Sequence, residues 1–179
     1  MKTNLKTLCG AAMIAAVYTV LSLLLAPISF GPIQCRISEM LVILPAFMPS
    51  AVIGVTLGCF LTNFLGGCIL PDIIFGTLAT FIGAVLTRKL TQEMLAATLE
   101  NKKPSLSFIL SAVLPPIISN TIIVPFVLKF AYGFEDALWF MMITVGIGEI
   151  LAVGVLGGAF ITLFSKSKLP QIIREQGLN

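Results

Sequence analysis

An apolar run extends from Ala137 to Phe164, and Glu149 is the one charged residue inside it. The run is long enough to cross a lipid bilayer as a tilted helix. A carboxylate at that depth costs about 2.5–3.5 kcal/mol on insertion scales, so Glu149 needs a polar partner or a water-filled cavity. Gly146, one helical turn earlier, leaves room beside it. We interpret Glu149 as part of a ligand or transport site. The alternative is a carboxylate held by a neighbouring helix for packing.

The composition excludes an ordinary soluble domain. Hydrophobic residues make up 58% of the 179 residues and charged residues 11%, and the mean hydropathy is +1.06. Almost every residue lies in or beside an apolar run, so we expect one transmembrane domain over residues 1–179. The net charge of +3 is dispersed at the ends of the runs, which does not indicate a nucleic-acid partner.

The residue types present also exclude several kinds of chemistry. The chain has no histidine, which removes histidine-based catalysis and most zinc sites. Its four cysteines show no C-x-x-C spacing, so neither a metal centre nor a redox centre is indicated. No G-x-S-x-G elbow and no phosphate-binding loop is present. We therefore expect neither an enzyme nor an ATPase, and no cofactor.

Six apolar runs predict an all-α integral membrane protein with a bundle of six transmembrane helices. The predicted spans are roughly 8–26, 39–48, 50–65, 72–87, 106–128 and 137–164, with a short interfacial helix within 90–105. Six spans put both termini on one side, and every lysine and arginine except Arg36 and Lys129 then falls on that side. The positive-inside rule makes it cytoplasmic and predicts a multi-pass protein of the cell membrane, in contact with lipid.

This topology gathers polar residues at the outer ends of the spans. Together they predict one cavity open to the outside, with amide and carboxylate groups for a hydrogen-bonding ligand and an aromatic ring for stacking. The candidate substrate-binding residues are Gln34, Arg36, Glu39, Asn63, Asp72, Asn120, Trp139 and Glu149.

Each candidate also has a structural interpretation. Arg36 and Glu39 are three residues apart and are able to pair with each other. Asp72 is suited to cap a helix, and Trp139 to an interfacial aromatic belt. The two asparagines are typical of interhelical hydrogen bonds. What favours a pocket is the position of all these residues on one side of the membrane.

The first span carries two interleaved pairs of small residues, Ala11 with Ala15 and Ala12 with Ala16. Small residues four apart allow another helix to approach closely. We predict that this face docks a partner helix, since a chain without an ATPase motif needs a partner or an ion gradient to move a solute uphill. Internal packing is the alternative.

Three stretches resemble one known family, the QueT-type queuosine-precursor transporters. APISFGPIQCRISE at 26–39 is similar to the first-loop signature of that family. DIIFGTLAT at 72–80 and GIGE at 146–149 are similar to its later motifs. The resemblance covers nearly the whole chain, and the first two motifs are fairly specific.

The family in turn resembles the substrate-binding S-components of energy-coupling factor (ECF) transporters. This resemblance implies a six-helix membrane fold, a substrate pocket at the outer side and a first loop that acts as a lid. It also implies partners: an ECF coupling membrane protein and two ATPases, with the small-residue face of the first helix as the dock. The implied ligand is queuine or another 7-deazaguanine precursor.

A base of this kind suggests roles for the candidate residues. A guanine-like edge presents a ring N–H beside an amino group, and a carboxylate accepts from both at once. Glu149 is the first choice for that role and Glu39 the second. Asn120, Asn63 and Gln34 are suited to the carbonyl and ring nitrogens, and Trp139 to stacking. An aminomethyl ligand would add a cation for Asp72 or Glu39.

Other functions remain open at this stage. A stand-alone secondary transporter would use Glu149 as a proton-coupling acid and would need no ATPase. An S-component for a different vitamin would share the fold but not the ligand. A structural or assembly protein would bind no small molecule tightly. The sequence does not distinguish among queuine, its aminomethyl precursor and its cyano precursor.

Overall fold

A computed structural model describes residues 5–29, 36–101 and 103–167, and the regular structure within them is helical. The helices are α1 (Leu5–Leu24), α2 (Ala26–Ser29), a 3-10 helix (Ile37–Ala46), α3 (Ser50–Leu65), α4 (Leu70–Thr91), α5 (Leu95–Asn101), α6 (Leu106–Phe130), α7 (Leu138–Glu149), a π-helical segment (Ile150–Gly157) and α8 (Gly158–Lys166). The predicted all-α fold is confirmed for these residues.

Four helices are long and apolar enough to cross a membrane, judged by length and composition. They are α1, α4, α6 and the continuous helical stretch Leu138–Lys166, which joins α7, the π-helical segment and α8. Two further apolar helices, the 3-10 helix and α3, are shorter. Helix α5 occupies part of the predicted polar stretch 90–105.

The predicted span 39–48 is a 3-10 helix over Ile37–Ala46. Ten residues at a rise of about 2 Å extend roughly 20 Å, less than the thickness of the hydrocarbon core. Most of its side chains are buried, and it packs against α1, α3, α4 and the π-helical segment. Such non-α backbone is tolerated at membrane depth where protein surrounds it.

Helices α1 and α3 approach each other closely because α3 has glycine at the contacts. A Cβ on Gly54 would lie 2.9 Å from the carbonyl oxygen of Ala11 and 2.8 Å from the Cβ of Ile14. A Cβ on Gly58 would lie 2.8 Å from the Cβ of Tyr18. These glycines hold α1 against the bundle and aim Tyr18 into it.

This packing corrects the prediction that Ala11 and Ala15 face a partner helix. Both are buried within the chain, with exposures of 2% and 5%. The alternative, internal packing, applies to this pair because α3 already occupies their face. Ala12 and Ala16, the other pair, are exposed.

Helix α6 remains continuous although it contains prolines. Pro116 has no N–H to donate to the carbonyl of Ala112, and the hydroxyl of Thr87 on α4 donates to that carbonyl instead, at 2.9 Å. A Cβ on Gly83 would lie 2.7 Å from the Cα of Pro116. Helix α4 is therefore fitted closely to the proline-bearing part of α6.

The two ends of the bundle differ in chemistry. Phe47, beside the start of α3, packs edge to face on Phe108 at 5.7 Å and on Phe164 at 4.8 Å. Asn63, near the other end of α3, and Asp72, in the first turn of α4, are both buried. One end is thus an apolar core, and the polar groups collect at the other.

Candidate functional site

A polar cavity lies where the 3-10 helix, α3, α4, α6 and α7 meet. Its volume is about 20 Å³, room for little more than one water molecule. The lining residues are Arg36, Glu39, Cys59, Asn63, Asp72, Gly76, Thr80, Asn120, Val124 and Glu149. Charged and amide side chains from distant parts of the sequence are thus brought to one place.

The structure brings most of the sequence-predicted site residues together. Arg36, Glu39, Asn63, Asp72, Asn120 and Glu149 all line the cavity. Gln34 lies outside the described residues, as do all of residues 30–35, which make up half of the loop at 27–38 that is predicted to act as a lid. Trp139 is not part of the lining: its side chain is 66% exposed and contacts Phe140 edge to face at 6.1 Å. That position agrees with the interfacial interpretation of Trp139.

Glu39 is held by two donors. Tyr18 donates to Oε1 of Glu39 at 2.5 Å, and the Arg36 guanidinium forms an ion pair with the same oxygen at 3.9 Å. The pairing of Arg36 with Glu39 that their spacing indicates is therefore present. The second oxygen of Glu39, Oε2, is buried and has no hydrogen-bond partner in the described structure.

Glu149 is held on one side only. Nδ2 of Asn120 donates to Oε1 of Glu149 at 2.9 Å, across the contact between α6 and α7. Oε2 of Glu149 is buried and has no partner among the described residues. The helix changes from α to π winding directly after Glu149. Local π winding is frequent at functional sites, since it re-aims the side chains around it.

One wall of the cavity is formed by the end of α3 and the start of α4. Nδ2 of Asn63 donates to the backbone oxygen of Asp72 at 3.4 Å, and Oδ1 of Asn63 is buried without a partner in the described residues. Gly76 leaves space for this asparagine, because a Cβ there would lie 3.0 Å from Nδ2. Tyr132, in the loop after α6, donates to Oδ2 of Asp72 at 3.0 Å.

Asp72 therefore accepts from a loop residue, and no cap hydrogen bond is present at the start of α4. Partial burial, and then the charge of the Asp72 carboxylate, raise the pKa of Tyr132 above its usual range. The phenol consequently stays protonated and acts as a donor. This contact ties the α6–α7 loop to the edge of the cavity.

Sequence reasoning missed several contributors to the site. The chain has two tyrosines, Tyr18 and Tyr132, and each donates to a cavity carboxylate. Because tyrosine is so scarce in this chain, both tyrosines could have been considered as candidate site residues. Gly76 and Thr80 follow Asp72 at successive four-residue steps, which put them on one helix face within the quoted DIIFGTLAT motif.

The unpaired atoms indicate what the cavity is suited to bind. Oε2 of Glu39, Oε2 of Glu149 and Oδ1 of Asn63 are all hydrogen-bond acceptors. Buried acceptors are nearly always paired in native structures, so these three point to a ligand rich in donors. In the described part of the chain, no group of three or more metal-ligating side chains is close enough to hold an ion.

A larger groove lies elsewhere, between α4 and α6, with a volume of about 810 Å³. Its lining is aliphatic apart from a few serines, among them Ser107 and Ser111. It lacks the charged and amide groups that would orient a polar ligand, so the small polar cavity is the better candidate site.

Comparisons with known proteins give the family of this chain. The family model described as QueT transporter matches residues 8–166. A relative, the Queuosine precursor transporter QueT of Lactococcus lactis subsp. cremoris, is 42% identical over 73 residues, which cover 40% of this chain and 43% of that protein. The matched segment thus spans less than half of that relative. No solved structure gives a significant match. The chain belongs to the QueT transporter family.

Proposed function

We propose that the protein is the membrane-embedded substrate-binding subunit for uptake of a queuosine precursor, a 7-deazaguanine base, energised by a separate ATPase module. The observation that carries the proposal is the set of three buried, unpaired acceptors in one cavity, on Glu39, Asn63 and Glu149. The family and the name of the matched relative support the choice of ligand.

The hydrogen-bonding pattern of the base suits these acceptors. A 7-deazaguanine presents a ring N–H beside an amino group, and a further N–H on its five-membered ring. The carbon at position 7 replaces a nitrogen acceptor of guanine. Glu149, with Oε1 fixed by Asn120, offers its carboxylate to the N–H and amino pair. The acceptors of Glu39 and Asn63 remain for the other donors.

The size of the cavity implies a movement on binding. A bicyclic base is several times larger than the present volume of about 20 Å³. The walls must therefore separate to admit it. Glu39 lies on the short 3-10 helix, and Glu149 lies directly before the π-helical segment. These two irregular elements pack against each other. We expect the cavity to widen between them.

Energy for transport comes, in this proposal, from an ECF coupling membrane protein and two ATPases, since the sequence holds no phosphate-binding loop. The exposed small-residue pair Ala12 and Ala16 is the part of α1 left for docking a partner helix. The proposed arrangement has six helices that cross the membrane or are embedded in it, with both chain termini in the cytoplasm. The distribution of lysine and arginine supports this orientation.

The test is ligand binding by the detergent-purified full chain, measured by calorimetric titration. The panel contains 7-deazaguanines, guanine, adenine and an unrelated vitamin such as thiamine. We expect saturable binding of 7-deazaguanines and weaker binding of guanine. Adenine should fail to bind, because it has an acceptor where the deazaguanine has its ring N–H. Absence of binding by every deazaguanine, or equal binding of adenine, would contradict the proposal.

A second measurement separates an ATPase-dependent subunit from a stand-alone transporter. Wild-type protein is reconstituted alone in vesicles that carry a proton gradient, and uptake of radiolabelled base is followed. We expect no accumulation without the ATPase module. Accumulation driven by the gradient alone would favour Glu149 as a proton-coupling acid in a secondary transporter.

A further inference from the structure

The groove between α4 and α6 lies on the outer surface of these two helices, apart from the polar cavity. Exposed aliphatic side chains, such as Leu86 on α4 and Leu110 on α6, form its rims. Its lining on α6 extends from Leu106 to Ile123. At a rise of about 1.5 Å per residue this length is roughly 25 Å, most of the thickness of the hydrocarbon core. Because the chain belongs to a transporter family and has four candidate membrane spans, lipid surrounds this face.

Hydroxyl groups with no bonding partner lie at one end of the groove. Ser107 and Ser111 are about one helical turn apart on α6, and neither hydroxyl has a hydrogen-bond partner among the described residues. Ser119, further along the groove, donates to the backbone oxygen of Pro116 at 3.1 Å. The two serines near the start of α6 are therefore free to donate to the oxygens of a bound molecule.

Two lysines flank the same end of the groove. Lys89 is next in sequence to a lining residue of α4, and Lys103 lies three residues before the start of α6. Both side chains are exposed. Glu93 and Glu100 lie between them in the sequence, but no ion pair joins either acid to a lysine in the described structure. The partial positive charge at the start of α6 adds to that of the lysines.

Along the groove the chemistry thus changes from cationic to hydroxyl to aliphatic. A phospholipid presents the complementary groups in the same order, which are the phosphate, the glycerol esters and the acyl chains. We propose that the groove binds an anionic phospholipid, with its phosphate at Lys89 and Lys103 and its ester oxygens at Ser107 and Ser111. Basic pockets between membrane helices bind anionic headgroups in this way. An acyl chain of one leaflet covers about half of the hydrocarbon core, so it fits within the length of the groove.

The exposed row of α6 favours a lipid over a partner helix as the occupant. Close helix pairs in membranes are built on small residues, which let the two backbones approach. The exposed row beside this groove is bulky, and its members are Leu106, Leu110, Leu114, Ile118 and Ile122. Such side chains keep a second helix at a distance, whereas a flexible acyl chain is able to lie between them.

The test is lipid binding by the full chain in detergent, measured by native mass spectrometry. The probes are phosphatidylglycerol, which is anionic, and phosphatidylcholine, which is zwitterionic, with the same oleoyl chains. We expect phosphatidylglycerol to bind on the order of ten- to thirty-fold more tightly, since each lysine attracts the net negative charge. The difference should shrink as the salt concentration is raised.

The double variant Lys89→Gln with Lys103→Gln should bring this affinity ratio towards one. Lys6→Gln with Lys166→Gln is the matched control, because it removes the same charge from exposed lysines outside the groove and should keep the wild-type ratio. Ser111→Phe, which places a ring in the groove, should weaken the binding of both lipids. All these variants should unfold as the wild type does in detergent without added lipid.

Several outcomes would overturn the proposal. Equal affinity of the wild type for the two lipids would exclude selection of an anionic headgroup, even should a variant fail to fold. A ratio lost equally in the control pair would reduce the preference to the net charge of the chain. Unchanged binding in Ser111→Phe would place the lipid elsewhere, and a membrane protein that is released by this variant would assign the groove to a partner helix. None of these measurements uses a base, so they stand whether or not the proposed ligand binds.

Discussion

Asn120 on α6 donates its side-chain amide to the carboxylate of Glu149 on α7, at 2.9 Å. The two residues are 29 positions apart in the chain, and both are buried. The amide fixes one oxygen of Glu149 and leaves the other without a partner in the described structure. A single donor thus orients the side chain and leaves its second oxygen available, which suits the ligand-binding role that we propose for Glu149.

The first prediction concerns Glu149→Gln. The glutamine keeps the shape of the side chain but cannot accept from two neighbouring donors, so ligand binding should weaken by about 1.5–3 kcal/mol. Calorimetric titration of the purified variant measures the change. Glu135→Gln, at an exposed acid, serves as control and should leave the affinity unchanged. Unchanged affinity in a folded Glu149→Gln would exclude Glu149 as the recognition acid.

The second prediction concerns Asn120→Ala, which removes the donor to Glu149. The carboxylate is then buried with neither oxygen bonded by the protein, and the thermal stability should fall by about 1–3 kcal/mol. Thermal unfolding in detergent, followed by circular dichroism, reports it. Ser107→Ala, at an exposed serine of the same helix, should have little effect. Equal stability of the two variants would mean that the hydrogen bond contributes nothing.

The third prediction concerns Tyr18→Phe, which keeps the ring and removes the hydroxyl that Glu39 accepts from. Glu39 remains paired with Arg36, so folding should survive with a loss of about 1–3 kcal/mol. Tyr132→Phe, which removes the corresponding donor to Asp72 in an exposed loop, should cost less. The two variants are compared by thermal unfolding, and a larger loss for Tyr132→Phe would be contrary to the expectation.

The fourth prediction concerns Gly58→Ala. The added methyl would meet the Cβ of Tyr18 at 2.8 Å, so α1 must shift away from α3, and the stability should fall by about 1–3 kcal/mol. Gly158→Ala is the matched control, since its added Cβ would make an ordinary contact of 3.8 Å with Ile109. Thermal unfolding of both variants is the measurement. Similar stabilities would show that α1 is not held tightly at Gly58.

The fifth prediction separates the two alanine pairs of α1. Ala12→Leu and Ala16→Leu are on the exposed face, so folding and base binding should be kept, while uptake in cells falls because a partner helix cannot approach. Ala11→Leu and Ala15→Leu should instead destabilise the chain itself, by about 1–3 kcal/mol, since both sites are buried.

Uptake assays in cells and thermal unfolding of the purified variants together measure both effects. Normal uptake by Ala12→Leu and Ala16→Leu with the full module present would show that the exposed pair contacts lipid and no partner.

Part of the site could be predicted because polar residues in apolar runs are costly and therefore need a reason. That argument identified Glu149, and the predicted topology added Asn63, Asp72 and Asn120 at the outer ends of the spans. All four line the cavity. It could not give the pairings between residues of different helices. Which asparagine meets Glu149 depends on how α6 and α7 are rotated against each other, and the sequence pattern of two helices does not specify that rotation.

The same limit explains the alanine pairs. A spacing of four residues predicts close helix contact, and both pairs in α1 have it. The choice between them is made by α3, whose Gly54 and Gly58 bring its backbone against the face that carries Ala11. The glycines of α3 thus decide which face of α1 is in contact. The sequence of α1 alone does not show which face that is.

The 3-10 winding of residues 37–46 was also not predicted from the sequence. Hydrophobicity indicates that the segment is buried, but residues 40–46 are all apolar, so they show no periodic stripe that would distinguish 3.0 from 3.6 residues per turn. Pro45 lies within that helix, and it is the residue in the sequence that indicates an irregular backbone there.

The glycine contacts of the bundle have a consequence for the entropy of binding. Backbones that touch at Gly54 and Gly58, and at Gly83 against Pro116, cannot roll or slide past each other without collision. These helix pairs therefore form a scaffold that is already ordered before a ligand arrives. If a base binds in the cavity, as we propose, the conformational freedom lost on binding comes from the 3-10 helix and the π-helical segment. The entropic cost of binding so small a molecule is then limited to these two short segments, while the rest of the bundle keeps its shape in the lipid.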